Sequence, residues 1–104
     1  MEMTSIVMSA ILEPRRLGLK LLWWEFGRGE ARALYCMEVE LSRHGMRKIS
    51  KAVERIIVER MPYSSVKVMA RSERGTTYLE IRIKVRKKEV EPSGFSDVLV
   101  YSLL

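Results

Sequence analysis

Four cations surround the start of one predicted helix, and their type and spacing favour a chemical role. Arg43, Arg47, Lys48 and Lys51 precede or open a stretch in which apolar residues recur at helical spacing. Unpaired backbone N–H groups and the dipole at a helix N-terminus favour an anion, so cations there mildly disfavour the helix. Arginine offers phosphate a planar fork and lysine a point charge. The pattern therefore predicts a phosphate-binding surface, with a merely solvated helix face as the alternative.

Histidine and cysteine give little support to catalysis or metal binding. His44 is the only histidine, and the sequence around it offers neither a carboxylate partner nor further ligands. We interpret it as a loop residue that helps to bind phosphate. Cys36 is the only cysteine, which excludes an internal disulfide and a cysteine-based zinc site. The glycines form no nucleotide-binding motif. We therefore predict a protein that is not an enzyme, with no catalytic residue, no metal and no cofactor.

The positive charge is confined to the middle of the chain. The formal net charge is +6 and the pI is near 9.8. Residues 1–42 hold 5 Lys/Arg and 6 Asp/Glu, residues 43–88 hold 14 and 4, and residues 89–104 hold none and 3. A basic excess concentrated in one segment indicates a patch that is presented to a polyanion.

Composition predicts a single globular domain over residues 1–104. Hydrophobic residues make up 47% and charged residues 31% of the chain, as in folded domains of this size. The longest apolar run, residues 17–26, is too short to span a membrane. The N-terminus does not read as a signal peptide. We therefore expect a cytoplasmic protein without a membrane partner.

The second half of the chain has clear periodicities. Apolar residues recur at helical spacing over residues 46–61, and Pro62 ends this predicted helix. Residues 65–71 and 77–87 alternate between apolar and polar side chains, and the SERGT segment between them supplies a turn. These features predict a helix followed by a β-hairpin. Residues 35–41 also alternate and predict another strand.

The first third and the end of the chain are less uniform. Residues 4–12 are typical of a strand. Residues 14–26 fit a helix or an alternating strand about equally well, since Gly18 disfavours a helix by about 1 kcal/mol relative to alanine. Residues 89–104 form a C-terminal extension whose segment SDVLVYSLL (96–104) is apolar on both strand faces. This composition predicts a tail that pairs with a sheet edge of its own subunit or of a partner.

The order of these elements resembles the Alba family of archaeal chromatin and RNA-binding proteins. The closest local match is EVELSRHGMRKISKAV, residues 38–53, which reads as a strand, a basic turn and a helix start. The segment YLEIRIKVRKK, residues 78–88, is similar to the last strand of the family. The likeness covers about residues 4–88. It implies an α+β, Alba-like βαβαββ two-layer sandwich with an extra strand-like tail, and it assigns residues 14–26 to a helix.

The resemblance also implies a function and a set of binding positions. Proteins of the family are dimers that bind double-stranded nucleic acid with little sequence preference. Their basic loop corresponds to Arg43 and Arg47, and basic positions after the first strand correspond loosely to Arg15 and Arg16. The paired lysines of the family, however, are Leu12 and Glu13 here, and the hairpin arm, residues 71–75, is much shorter.

We therefore predict a chromatin- or ribonucleoprotein-associated protein, located at the nucleoid in the cytoplasm. It binds double-stranded DNA or RNA without sequence specificity, through phosphate contacts and counterion release. We expect a homodimer or a heterodimer with a related protein. The predicted nucleic-acid-binding residues are Arg15, Arg16, Arg43, His44, Arg47, Lys48, Lys51, Arg71 and Arg74. The alternative function is a non-catalytic protein-interaction subunit that uses the tail and Trp23-Trp24. Such paired tryptophans belong to a core or interface more often than they stack on bases.

Overall fold

Two helices and one four-stranded antiparallel sheet form an α+β fold in the computed structural model, which describes residues 3–85. The elements in chain order are α1 (Met3–Leu12), a 3₁₀ helix (Glu13–Leu17), β1 (Lys20–Gly27), β2 (Glu30–Met37), α2 (Arg43–Arg60), β3 (Ser64–Glu73) and β4 (Thr76–Val85). The strand order across the sheet is β1-β2-β4-β3. The predicted strand in the C-terminal tail, residues 96–104, lies outside the described residues.

The first element is a helix, so the prediction of a strand at residues 4–12 is wrong. Val7, Ala10 and Ile11 are fully buried, and their i, i+3, i+4 spacing marks one side of a helix. The segment contains enough apolar residues to satisfy a two-residue alternation as well. Its contacts with α2 and β1 decide in favour of the helix.

Residues 14–26 contain a strand, so their assignment to a helix is also wrong. The 3₁₀ helix that holds Pro14 stops at Gly18, whose φ of 87° lies in the left-handed region that glycine adopts without strain. β1 follows and pairs with β2. A bulge at Leu22 then shifts the alternation, so that Trp24 packs against the core while Trp23 points to the opposite side of the sheet.

The element order αββαββ therefore differs from the predicted βαβαββ in its first two elements. From β2 onwards the two orders agree, since β2, α2, β3 and β4 follow one another as expected. The predicted strand at residues 35–41 is right only as far as Met37, because Val39 lies beyond β2 and is 55% exposed.

The predicted α2 helix and β3–β4 hairpin are confirmed. Val53 and Ile57 of α2 are fully buried, and Ile49 and Ile56 pack against the same core. Leu79, Ile81 and Ile83 of β4 are also fully buried, as their alternation predicts. Replacing one of these isoleucines by alanine typically costs about 2–5 kcal/mol.

The core lies between the helices and one face of the sheet. Tyr35 on β2 is fully buried, and its hydroxyl donates a hydrogen bond of 2.6 Å to the carbonyl of Ile11 near the end of α1. This carbonyl is one of the last four of its helix, which have no partner within the helix. Burial raises the pKa of Tyr35, so the phenol stays protonated and continues to donate.

Residues 3–85 form two successive αββ units that occupy equivalent places in the sheet. The strand order is unchanged when β1 and β2 exchange places with β3 and β4. Each hairpin turns on an Arg-Gly pair with positive φ, Arg28-Gly29 and Arg74-Gly75. β2 and β4 are antiparallel neighbours, so the two turns lie at opposite ends of the sheet.

Candidate nucleic-acid interface

Helix α2 begins at Arg43 with a cap but without acidic residues in its first turn. The side chain of Ser42 accepts a hydrogen bond of 3.1 Å from the backbone N–H of Gly45 and thereby satisfies one of the free donors of the helix. His44 is therefore a helical residue, and its prediction as a loop residue is wrong. The other free N–H groups and the dipole make this end of the helix electropositive.

The cations of α2 lie on its exposed side. Arg43, Arg47 and Lys51 follow one another at i, i+4 spacing and so form one row along the helix, with His44 and Lys48 beside it. All five side chains are exposed, and we call them the basic α2 surface. Like charges at i, i+4 repel each other at a cost of a few tenths of a kcal/mol per pair. The arrangement therefore does not stabilise the isolated helix.

The basic α2 surface is not neutralised within the described part of the chain. The ion pairs between residues 3 and 85 involve Arg16, Arg32 and Arg60, and the side chains of the basic α2 surface accept or donate no hydrogen bond among these residues. The guanidinium and ammonium groups of Arg43, Arg47, Lys48 and Lys51 are therefore available to an external anion.

The β3–β4 turn is held beside the segment that leads into α2. The backbone N–H of Gly75 donates a hydrogen bond of 2.8 Å to the Glu40 carboxylate. The Thr77 hydroxyl donates to the carbonyl of Val39 at 2.7 Å and accepts from the backbone N–H of Leu41 at 3.0 Å. These bonds fix the end of the hairpin against residues 39–41, directly before the start of α2.

Arg74 and Arg71 are thereby brought to the same end of the molecule as the basic α2 surface. Arg74 occupies the first position of the turn and is exposed. The Arg71 guanidinium lies over the ring of Tyr78, with 5.1 Å between its carbon and the ring centroid, on the sheet side that faces away from the helices. Six of the nine predicted binding residues lie at this end of the fold, and a seventh, Lys51, lies midway along α2.

The other two predicted residues, Arg15 and Arg16, lie elsewhere. They belong to the 3₁₀ helix, which contacts the C-terminal part of α2 through an ion pair between Glu13 and Arg60. α2 runs about 25 Å from Arg43 to Arg60 at 1.5 Å per residue. The tertiary structure therefore separates Arg15 and Arg16 from the basic α2 surface.

Arg16 also has a structural partner. Its guanidinium lies 3.2 Å from the carboxylate of Glu13, which is only 8% exposed. The hydrogen bond from Arg16 holds the pKa of Glu13 below its ordinary value, and Arg60 acts in the same direction against the opposing effect of burial. A single buried carboxylate therefore joins the 3₁₀ helix to α2.

The sheet carries a second basic surface that was not predicted from the sequence. The sheet side that faces away from the helices carries Arg32, Lys67, Arg82 and Lys84. The alternation of residues 65–71 and 77–87 already predicts one polar side for each strand. Only the packing of both helices against the other side shows that these polar residues form a continuous face.

Comparisons of the chain with protein-family models, with curated proteins and with solved structures find no match. Between residues 3 and 85, no group of three or more His, Cys, Asp or Glu side chains is arranged to hold a metal ion. Neither α1 nor α2 is long and apolar enough to cross a membrane. The arrangement of charge is thus the main chemical feature of the described residues.

Proposed function

We propose that this protein binds double-stranded nucleic acid, DNA or RNA, without sequence preference and through the phosphate backbone. Arg43, Arg47, Lys48 and Lys51 hold successive phosphates, and Arg74 on the neighbouring turn extends the contact. Binding releases the counterions that these phosphates had condensed, which makes the affinity depend steeply on salt. Contacts of this kind position a duplex but do not read its bases.

The observation that carries the proposal is an unneutralised row of cations at a helix start without acidic residues. Repulsion between the members of the row and the unfavourable helix dipole both oppose this arrangement in the free protein. A phosphate backbone reverses both effects, because it supplies negative charge to the cations and to the free N–H groups at once. Arg15 and Arg16 are not part of this surface in our proposal.

The resemblance to the Alba family supports the proposal only over residues 38–53, which contain the basic α2 surface. The first two elements depart from the order that the family implies. We therefore base the proposal on the charge arrangement. An Alba-like chromatin role, a nucleoid-associated location in the cytoplasm, and a homodimer or related heterodimer stay predictions. Sedimentation at micromolar protein should give about twice the monomer mass.

The experiment that tests the proposal compares two double variants of equal charge. Arg43→Ala with Arg47→Ala removes two cations from the basic α2 surface. Arg15→Ala with Arg28→Ala removes two exposed arginines that lie outside α2 and outside the β3–β4 hairpin. Affinity for unrelated 20-base-pair DNA and RNA duplexes is measured by fluorescence anisotropy from about 50 to 200 mM salt.

We expect the first variant alone to lose about two phosphate contacts. Its slope of log affinity against log salt should fall by about 1.8, and its affinity near 0.1 M salt should fall by roughly fiftyfold, for every sequence alike. The control variant should bind within about threefold of the wild type. Equal losses in both variants would show that only net charge matters and would contradict the assigned surface.

The alternative function, a non-catalytic protein-interaction subunit, is favoured by a different observation. An apolar groove of about 190 Å³ lies between α1 and the α2–β3 connection, and Met3, Ile6 and Met61 line it. Such a groove suits an apolar segment, whose binding would tolerate salt. Weak duplex binding together with salt-tolerant association with one protein would favour this function.

A further inference from the structure

The side of the sheet that faces away from α1 and α2 combines aromatic rings with cations. We call it the open sheet face, because no element within residues 3–85 covers it. The strand register sets Trp23, Leu34, Glu80 and Met69 in one row across the four strands. The next row contains Tyr78 and Arg71. Trp23 on edge strand β1 is 39% exposed and Met69 on edge strand β3 is 54% exposed, which leaves two large apolar side chains open to solvent on this face.

Both aromatic rings of these rows have an arginine partner. The Arg71 guanidinium carbon lies 5.1 Å from the Tyr78 ring centroid, and that of Arg32 lies 5.9 Å from the Trp23 ring centroid. Such pairs hold ring and guanidinium close together on the surface. Guanidinium planes and aromatic rings are the two kinds of side-chain surface on which nucleic-acid bases stack.

A shallow concavity of about 250 Å³ lies between these two pairs. It is lined by Trp23, Arg32, Leu34, Met69, Arg71 and Tyr78, together with Ala70 and Glu80. The rings belong to strands that are two positions apart in the sheet order, β1 and β4. The face therefore offers two separate stacking positions with apolar surface between them.

The charge of the open sheet face suits a polyanion. Its cations are Lys20, Arg32, Lys67, Arg71, Arg82 and Lys84, and its acids are Glu25, Glu30, Glu73 and Glu80. The ion pair at 3.3 Å between Arg32 and Glu80 is the single one on this face within the described residues. Lys67 and Arg82 are direct cross-strand neighbours on β3 and β4, where like charges repel in the absence of a ligand.

We propose that the open sheet face binds single-stranded nucleic acid. Bases stack on Trp23 and Tyr78, while Lys67, Arg71 and Arg82 hold the phosphates. A duplex fits this face poorly, since its bases are already stacked and paired. An apolar protein segment would leave the charges of the face without partners. This inference goes beyond the duplex binding proposed above and uses a different surface, so either can fail without the other.

The experiment uses the fluorescence of Trp23. Trp24 packs against the core on the other side of the sheet, so Trp24→Phe leaves Trp23 as the only tryptophan of the chain. This protein is titrated with a 12-nucleotide oligothymidine and with an abasic sugar-phosphate strand of equal length and charge. We expect saturable quenching by oligothymidine. The abasic strand should bind at least tenfold more weakly and leave the fluorescence unchanged.

Ring variants then test the two stacking positions by anisotropy. Trp23→Ala and Tyr78→Ala should each lower the affinity for oligothymidine by at least about fivefold. Trp23→Phe, which keeps a ring, should retain most of the affinity. Tyr63→Ala is the matched control, because Tyr63 is an exposed aromatic residue of the α2–β3 connection, outside the sheet. Thermal melts identify any variant that has not folded.

Three results would overturn the proposal. The first is equal affinity for the abasic strand and oligothymidine, which would show that the face binds phosphate alone. The second is unchanged affinity in folded Trp23→Ala and Tyr78→Ala. The third is a dimer that Trp23→Ala dissociates, which would make a second copy the occupant of the face. The Arg43→Ala with Arg47→Ala variant should lose duplex binding and keep the quenching of Trp23, which separates this inference from the proposed function.

Discussion

The cations at the two ends of helix α2 differ in whether they have a carboxylate partner. At its C-terminal end, Arg60 and the neighbouring Arg16 both bind the carboxylate of Glu13, which is 8% exposed. At its N-terminal end, Arg43 and Arg47 have no carboxylate partner within the described residues. The first end uses its cations to join two elements of the fold, and the second leaves them available to a ligand.

This difference shows that a count of cations along the sequence does not locate a binding surface. Arg16 and Arg47 are both arginines with exposed side chains. They differ in whether the fold brings a carboxylate to them. A cation that pairs with a buried carboxylate offsets the cost of burying that charge, whereas a row of unpaired like charges destabilises the fold slightly and requires another explanation.

The largest expected effect comes from placing a carboxylate beside the unpaired cations of α2, as Glu13 lies beside Arg60. Lys51→Glu introduces a carboxylate that is i+4 from Arg47 and i−4 from Arg55. Near 0.1 M salt each phosphate contact contributes roughly a factor of ten, so duplex affinity should fall on the order of hundredfold. The stability should rise by a few tenths of a kcal/mol. Lys51→Gln, which adds no partner, should lose only about tenfold. Unchanged affinity in both variants would remove Lys51 from the interface.

A second prediction concerns the buried hydrogen bond between Tyr35 and Ile11, which holds α1 against the sheet. Tyr35→Phe removes the donor to the Ile11 carbonyl and leaves this buried oxygen unsatisfied. The free energy of unfolding should fall by about 1–3 kcal/mol, as urea denaturation would show. Duplex affinity should not change, because the contact lies in the core. A loss of affinity in the folded variant would mean that this core contact is coupled to the basic α2 surface.

The third prediction uses the lowered pKa of Glu13. A carboxylate whose pKa is lower in the folded than in the unfolded state contributes stability above its ordinary value of 4.5, and this contribution is lost as the pH falls through the folded pKa. Glu13→Gln should therefore melt at a lower temperature than the wild type at pH 7. The difference should shrink as the pH falls below 4.5. A difference that stays constant down to pH 3 would exclude an ionic role for Glu13.

The last prediction concerns a substitution that should change binding and stability in opposite directions. Arg43→Glu places an acid in the first turn of α2, where the helix dipole should stabilise it by about 0.3–1 kcal/mol. The same change should weaken duplex binding, since the charge at the proposed phosphate site is reversed. Thermal melts and anisotropy measure the two effects on one sample. A destabilised Arg43→Glu would show that the arginine has a structural partner.

Local periodicity was sufficient for much of the second half of the fold. The apolar stripe through Val53 and Ile57 predicted α2, and the alternation through Leu79, Ile81 and Ile83 predicted the inner side of β4. Each of these segments is long enough to fit only one periodicity, either the helical one or the two-residue alternation of a strand. The concentration of charge in residues 43–88, and hence the interest in the start of α2, also follows from the sequence alone.

Only the tertiary structure decided the first third of the chain and the extent of the candidate site. Residues 4–12 and 14–26 each fit both a helical periodicity and a strand alternation. Contacts with distant residues, such as that of Ile11 with Tyr35, determine which structure forms. The bulge at Leu22 reversed the sides of Trp23 and Trp24, which no local pattern indicates. The separation of Arg16 from Arg43 depends on long-range packing, because the Glu13 carboxylate, which pairs locally with Arg16, is brought to Arg60 only by packing.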